Sequence, residues 1–244
     1  MKVLRGVAGF TLVELLLALF VGAVLMSAIY VTMISGQRSS AGVERKVAAQ
    51  QDVRAALEIM AMEISMASYN PNFIPGIWTD GSTCAGASPN QAYKGIQEAT
   101  ATTITVEMDI GESNSIGDNE NEIIRYTYDA ANQFITRRTN CGTAQPFLGA
   151  NPAAPAGTRT VRLINNTAGI NNGPGHATPA VFRYYDSNGT ELYPYAGKNP
   201  GDIANIRRID ITLAVETEER DPATNAFRQM IYSTSVLVRN HAIH

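Results

Sequence analysis

Proline is missing between Phe10 and Pro71, although the chain holds 11 of them. A helix can therefore run unbroken through that stretch. Charge is missing from its first half: from Phe10 to Gln37 the only charged side chain is Glu14. Cysteine, histidine and tryptophan are scarce, at two, three and one. Cys84 and Cys141 lie far apart, without the paired spacing of a zinc or dithiol redox site. His176 sits in a Gly/Pro loop, and His241 and His244 end the chain, so all three are expected to be exposed. No Ser/His/Asp, Cys/His or metal-ligand spacing can be assembled, and no catalytic residue is expected. No glycine-rich piece follows a strand and opens a helix as a phosphate loop must. With a formal net charge of −3 and no basic stripe, nucleic-acid binding is not expected.

What is present is enough for a packed domain: 244 residues, 45% hydrophobic. The N-terminus MKVLRGVAG carries Lys2 and Arg5 and then turns apolar. An ordinary secretory signal is cut after its apolar stretch at a small-residue site. Here VTMISGQRSS passes directly into a charged helical pattern, and the obvious small residue, Gly9, precedes the apolar run. Leu15 to Ile34 holds no charge and as a helix would span about 30 Å, the thickness of a bilayer core. Basic residues before it place Lys2 and Arg5 in the cytoplasm and everything after Arg38 outside. A plain signal anchor accounts for this topology but leaves Glu14 unexplained, since a carboxylate at mid-membrane costs up to about 2.5 to 3.5 kcal/mol.

Gly9, Phe10, Thr11, Leu12, Val13 and Glu14 resemble the cleavage and methylation motif of type IV prepilins and type II secretion pseudopilins. The resemblance implies a cut between Gly9 and Phe10 by a membrane-embedded aspartyl peptidase, with Phe10 N-methylated as the new terminus. Glu14 then becomes mature position five. It also implies a role for the acid in subunit assembly, pairing with the α-amino group of a neighbouring subunit and neutralising two charges in an apolar filament core.

The helical pattern continues past the apolar run: Val43, Val47, Gln50, Arg54, Leu57, Ala61 and Ile64 recur at three and four. One helix of about 60 residues, roughly 90 Å long, is expected to end near Pro71. The remainder reads as β. Ile104, Val106 and Met108 alternate with Thr105 and Glu107, and Ile124, Tyr126 and Tyr128 with Arg125 and Thr127. Phe134–Arg138, Val161–Ile164 and Val181–Tyr185 are further short strands. Ile209, Ile211, Leu213 and Val215 form the clearest, with a turn at Asp221 and Pro222 and a partner strand from Phe227 to Val238. The expected fold is α+β, a long N-terminal helix packed on an antiparallel sheet. Its parts are a leader (1–9), a transmembrane and polymerisation helix (10–37), an amphipathic helix (38–69) and a β-rich head (70–244). Two long irregular stretches, 70–92 and 149–179, interrupt the head.

RAALEIMAMEISMASYNP, FRYYDSNG, IRRIDITLAV and STSVLVRN are similar, in order, to minor pilins of the PilW type and to J-type pseudopilins. The resemblance implies a non-enzymatic minor pilin that assembles with major and minor pilins through inner-membrane machinery, its head in the periplasm and then on the pilus. A J-type pseudopilin shares these features. A signal-anchored periplasmic enzyme or binding protein, and an adhesin-like tip subunit, are the readings from other classes. Many pilins carry a proline near mature position 22; here that position is Val31.

Three side features remain. Cys84 and Cys141 are expected to form a disulfide, against two separate buried thiols, because both lie in loop sequence where a staple is useful. Asp118, Glu120 and Glu122, in DIGESNSIGDNENE, place oxygen ligands at alternate positions as a calcium loop does. The EF-hand spacing is absent, and a solvated hairpin loop is the alternative expected. Tyr184, Tyr185, Tyr193 and Tyr195 are read as capping a sheet rather than forming a ligand patch, and Arg207 and Arg208 as edge charges. Asn-x-Thr at Asn165 and Asn188 carries no weight beside a leader that looks bacterial.

Overall fold

The computed structural model describes residues 11–149, 160–167, 180–192, 200–222 and 224–242. Helix α1 runs unbroken from Leu12 to Ser65, 54 residues and about 80 Å. It stops before Pro71 because the chain turns at Ser68, whose φ is +66°. The Ser68 N–H then donates to the Glu107 carbonyl at 2.9 Å, so the sheet captures the backbone the helix would have used.

The head is two antiparallel sheets, where the sequence led us to expect one. Strands β1 (Ile96–Ala99), β2 (Thr103–Glu107), β3 (Ile123–Asp129), β4 (Phe134–Thr139) and β5 (Gln145–Leu148) form a meander in that order. Strands β6 (Val161–Leu163), β7 (Phe182–Tyr185), β8 (Arg208–Thr217) and β9 (Gln229–Leu237) form the second sheet. β8 is central: β6 and β7 pair along one side of it and β9 along the other. With both sides occupied, it has no edge on which the first sheet could continue.

One core joins α1 to both sheets. Ala49, Val53, Ala56, Leu57, Met60 and Ile64 of α1 are buried against residues such as Ile104, Val106, Tyr126, Tyr184, Ile211 and Val215. This seam is rotated from the one the periodicity suggested. Leu57 and Ile64 belong to it, but Val43 and Val47 are 60% and 44% exposed and Arg54 is exposed. Ala49, Val53, Ala56 and Met60 are buried in that seam in place of Val43 and Val47. β9 and β8 take most of the helix contact, with the Arg54 guanidinium over the Tyr232 ring at 6.0 Å. The β8–β9 turn is also held to α1: Arg45 Nη2 lies 2.6 Å from Glu219 Oε2, and its Nη1 donates to the Arg220 carbonyl.

β2 is buried on both faces. Ile104 and Val106 face the main core, while Thr105 and Glu107, which alternate with them, lie beneath the segment 77–88. That segment is packed, not loose: Ile77 and Trp78 form a second small core with Ile116 and Ile123. Cys84 and Cys141 are joined by a disulfide with Cα atoms 5.8 Å apart, tying this segment to the end of β4.

Candidate functional site

The first turns of α1 present the chemistry. Thr11 is the N-cap, its Oγ1 accepting from the Glu14 N–H at 3.2 Å. Glu14 Oε2 accepts in return from the Thr11 N–H at 2.9 Å and the Thr11 hydroxyl at 3.0 Å. This reciprocal capping box satisfies two donors that a helix start leaves open, and a carboxylate there also complements the helix dipole. Sequence reasoning missed it, although Thr11-x-x-Glu14 ahead of an apolar run is its signature. The box uses one oxygen: Glu14 Oε1 accepts no hydrogen bond among the described residues.

Beyond Glu14, α1 is the one described helix long and apolar enough to cross a membrane, and none of its apolar window is buried within the chain. Leu12, Phe20 and Met26 are 76%, 68% and 70% exposed. A surface this large and apolar needs cover from lipid or from other helices. Gly9 and Phe10, with the whole leader 1–9, lie outside the described residues.

The acidic loop between β2 and β3 brings Asp118 and Glu122 together on the Asn119 side-chain amide and leaves Glu120 in solvent. Glu122 is fully buried and turned inward, accepting from the N–H groups of Gly117 (2.8 Å), Gly111 (3.1 Å) and Asn119 (3.1 Å). Asp118 also accepts from Ser113 Oγ at 3.1 Å, and Glu120 is exposed. The loop is closed on its own amides, and no group of three or more His, Cys, Asp or Glu is placed to hold a metal among the described residues.

His241 is a further correction: expected to be exposed, it is fully buried. Its Nε2 lies 2.9 Å from the Ile203 carbonyl and its Nδ1 2.7 Å from Ser68 Oγ, which also accepts the Gly95 N–H at 3.0 Å. Nε2 therefore carries the proton, and Nδ1 accepts from the serine. The pair looks like a nucleophile beside its base, but Ser68 is fully buried, out of reach of any substrate. It works as a clasp holding the chain end to the helix exit. Gly95 is required there, since a Cβ would sit 2.3 Å from the Ser68 nitrogen.

Glu107 is also fully buried, accepting from the Thr79 N–H (3.0 Å) and hydroxyl (2.8 Å). Burial pushes its carboxyl up to about 8. Tyr184 is in the core, donating to the Thr100 carbonyl at 2.8 Å, and Tyr185 lies under the Arg208 guanidinium at 4.0 Å. Arg208 also pairs with Asp210. Asn165 is buried and extends the second sheet with its side chain, donating to Thr212 and accepting from Ala214. His176, Tyr193, Tyr195 and His244 lie outside the described residues.

No curated protein and no solved structure matched the chain. Residues 4–30 match the family model described as the prokaryotic N-terminal methylation motif. The match spans Gly9, Phe10, Glu14 and most of the apolar run, and the motif indicates a type IV pilin-like or pseudopilin-like protein.

Proposed function

We propose that the chain is a minor type IV pilin of the PilW type, a structural subunit that enters or primes a pilus through α1. The leader 1–9 is removed between Gly9 and Phe10 by the prepilin peptidase, and Phe10 is N-methylated. Before assembly, residues 10–37 hold the subunit in the inner membrane, with residues 38–69 packed on a periplasmic head (70–244). Other pilins and the inner-membrane assembly machinery are its partners. The observation that carries this reading is the free Oε1 of Glu14 at the start of a helix whose apolar half the chain leaves uncovered. In the filament that oxygen takes the methylated α-amino group of a neighbouring Phe10, while Oε2 stays with Thr11.

Mass spectrometry of the mature N-terminus tests it. The expected product begins at N-methyl-Phe10; an intact Met1 or a cut beyond residue 34 overturns the reading. Replacing Glu14 with alanine is expected to leave processing intact and to lower incorporation into pili at least ~10-fold, because a stranded ammonium in an apolar bundle is strongly unfavourable. Incorporation at the wild-type level would remove the pairing role.

A further inference from the structure

The outer edge of β9 is open. At the ends of the β8–β9 ladder, Thr217 N–H donates to the Arg228 carbonyl at 3.0 Å and Val238 N–H to the Arg207 carbonyl at 3.1 Å. Hydrogen-bonded pairs recur at every second residue of an antiparallel ladder. Met230, Tyr232, Thr234 and Val236 therefore turn their backbone groups toward β8, and Gln229, Ile231, Ser233, Ser235 and Leu237 turn theirs away. β9 pairs with β8 alone, so those five have no backbone partner among the described residues. Their side chains are exposed too, Ile231 and Leu237 by more than half.

The other sheet edges are guarded. β1 slips register between Ile96 and Glu98 and carries that glutamate. β5 is four residues long, contains Pro146 and faces an irregularity in β4. β6 and β7 are three and four residues long, each with an arginine. Bulges, charges, proline and short length are the usual means of blunting an edge. β9 has none: QMIYSTSVL runs nine residues in unbroken register without charge, proline or glycine.

We propose that the free edge of β9 is a docking surface for an extended segment of a different subunit, which joins the second sheet as an added strand. Main-chain hydrogen bonds supply the attraction, and flanking side chains the selectivity. β9 offers no charge to pair with, so the incoming segment is uncharged and places apolar residues opposite Ile231 and Leu237. A second copy does not fit. α1 and β9 run the same way, since the start of the β9 hairpin meets Arg45 and the chain beyond its end brings His241 to Ser68. Antiparallel β9–β9 pairing about a two-fold axis would send the two apolar helices in opposite directions, which one bilayer cannot accept. Parallel pairing about a two-fold axis would set outward-turned residues against each other, whereas a parallel ladder alternates them.

The proposal rests on the filament-subunit reading, and hydrogen exchange of the full chain separates the two. In detergent micelles the amides of Ile231, Ser233, Ser235 and Leu237 should exchange fast, and in assembled filaments at least ~100-fold more slowly, with Tyr232 and Thr234 protected in both. Filaments containing the chain but leaving the four amides fast would overturn the docking surface alone. A wild-type chain that never enters filaments overturns both. Protection that appears in micelles as concentration rises identifies a second copy and overturns the proposal as stated. Ser233→Pro removes one outward N–H and leaves the β8 ladder whole. It should keep the thermal midpoint and Phe10 methylation yet enter filaments at least ~10-fold less than Ser233→Ala; equal incorporation would count against the edge.

Discussion

Replacing Glu63 with alanine is expected to lower the unfolding free energy of the head by about 3 kcal/mol. Glu63 lies in the last turn of α1, and its carboxylate links the helix to the five-stranded sheet. Arg137 of β4 grips it with two nitrogens, at 2.6 and 3.1 Å, and the Tyr126 hydroxyl of β3 donates to the same carboxylate. Tyr126 is fully buried, and burial together with the Glu63 carboxylate holds its hydroxyl far above the usual range, so it remains a donor at any working pH. Truncation leaves that donor without its acceptor and leaves the partly buried guanidinium with Asn121 Oδ1 alone, at 2.8 Å. Removing one partner of a fully buried pair costs about 3 to 5 kcal/mol. The Glu63 and Arg137 side chains are 13% and 24% exposed, so water recovers part of the loss and the low end applies. The Arg45–Glu219 pair, 43% and 57% exposed, is expected to contribute under about 1 kcal/mol. Thermal unfolding of the purified chain checks both: a fall of roughly 6 to 12 °C for Glu63→Ala, against little change for Glu219→Ala. Equal effects would mean that the buried link adds nothing beyond a surface ion pair. Glu63→Gln keeps an acceptor for Tyr126 and should fall between.

How much of this was legible in the sequence depended on whether the cause was local. The course of α1 was, because the absence of proline and the single charge are properties of the segment itself. Its end was not, since Ser68 turns the chain by giving its N–H to a carbonyl 39 positions away in sequence, on Glu107. β8 showed clean alternation and was read correctly; β5 was missed because Pro146 argues against a strand unless it is known to lie at an edge. The alternation of Thr105 and Glu107 with Ile104 and Val106 cannot reveal that a disulfide-tied segment covers the second face. His241 was misplaced for the same reason: closeness to a chain end says nothing about what that end is docked against. At the N-terminus the Thr11–Glu14 box was readable and overlooked, while the cut proposed at Gly9 rests on resemblance to a family.

Two of the buried titratable groups, Glu107 and His241, give the head a pH window, and their signs are opposite. Burial raises the Glu107 carboxyl from 4.5 to about 8; the two hydrogen bonds from Thr79 oppose this and the nearby Asp80 charge adds to it. The folded state then holds a proton that the unfolded chain has released, so stability falls as pH rises from 4.5 to about 8. Burial lowers the His241 imidazole from 6.5 to about 4; the Ile203 carbonyl opposes this, and the charges of Lys94 and Arg207 add to it. Here the unfolded chain takes up the proton first, so stability falls as pH drops from 6.5 to about 4. Each slope is about 1.4 kcal/mol per pH unit. Between 4.5 and 6.5 they cancel. Above 6.5 Glu107 acts alone, and the head is expected to lose about 2 kcal/mol by pH 8, or roughly 4 to 8 °C in thermal midpoint. Hydrogen bonding holds the Asp80 and Asp129 carboxyls below their ordinary 3.8, so those groups titrate beneath this window and leave its alkaline side unchanged. Glu107→Gln should flatten the midpoint from pH 6.5 to 8 and, with the opposing slope gone, expose a decline from 6.5 toward 4 that belongs to His241. If the variant keeps the alkaline slope, Glu107 is ionised in the folded head and its carboxylate is reached by water or by a cation. If the slope disappears, it belongs to the Glu107 carboxyl losing its proton beneath the segment from Ile77 to Ser88.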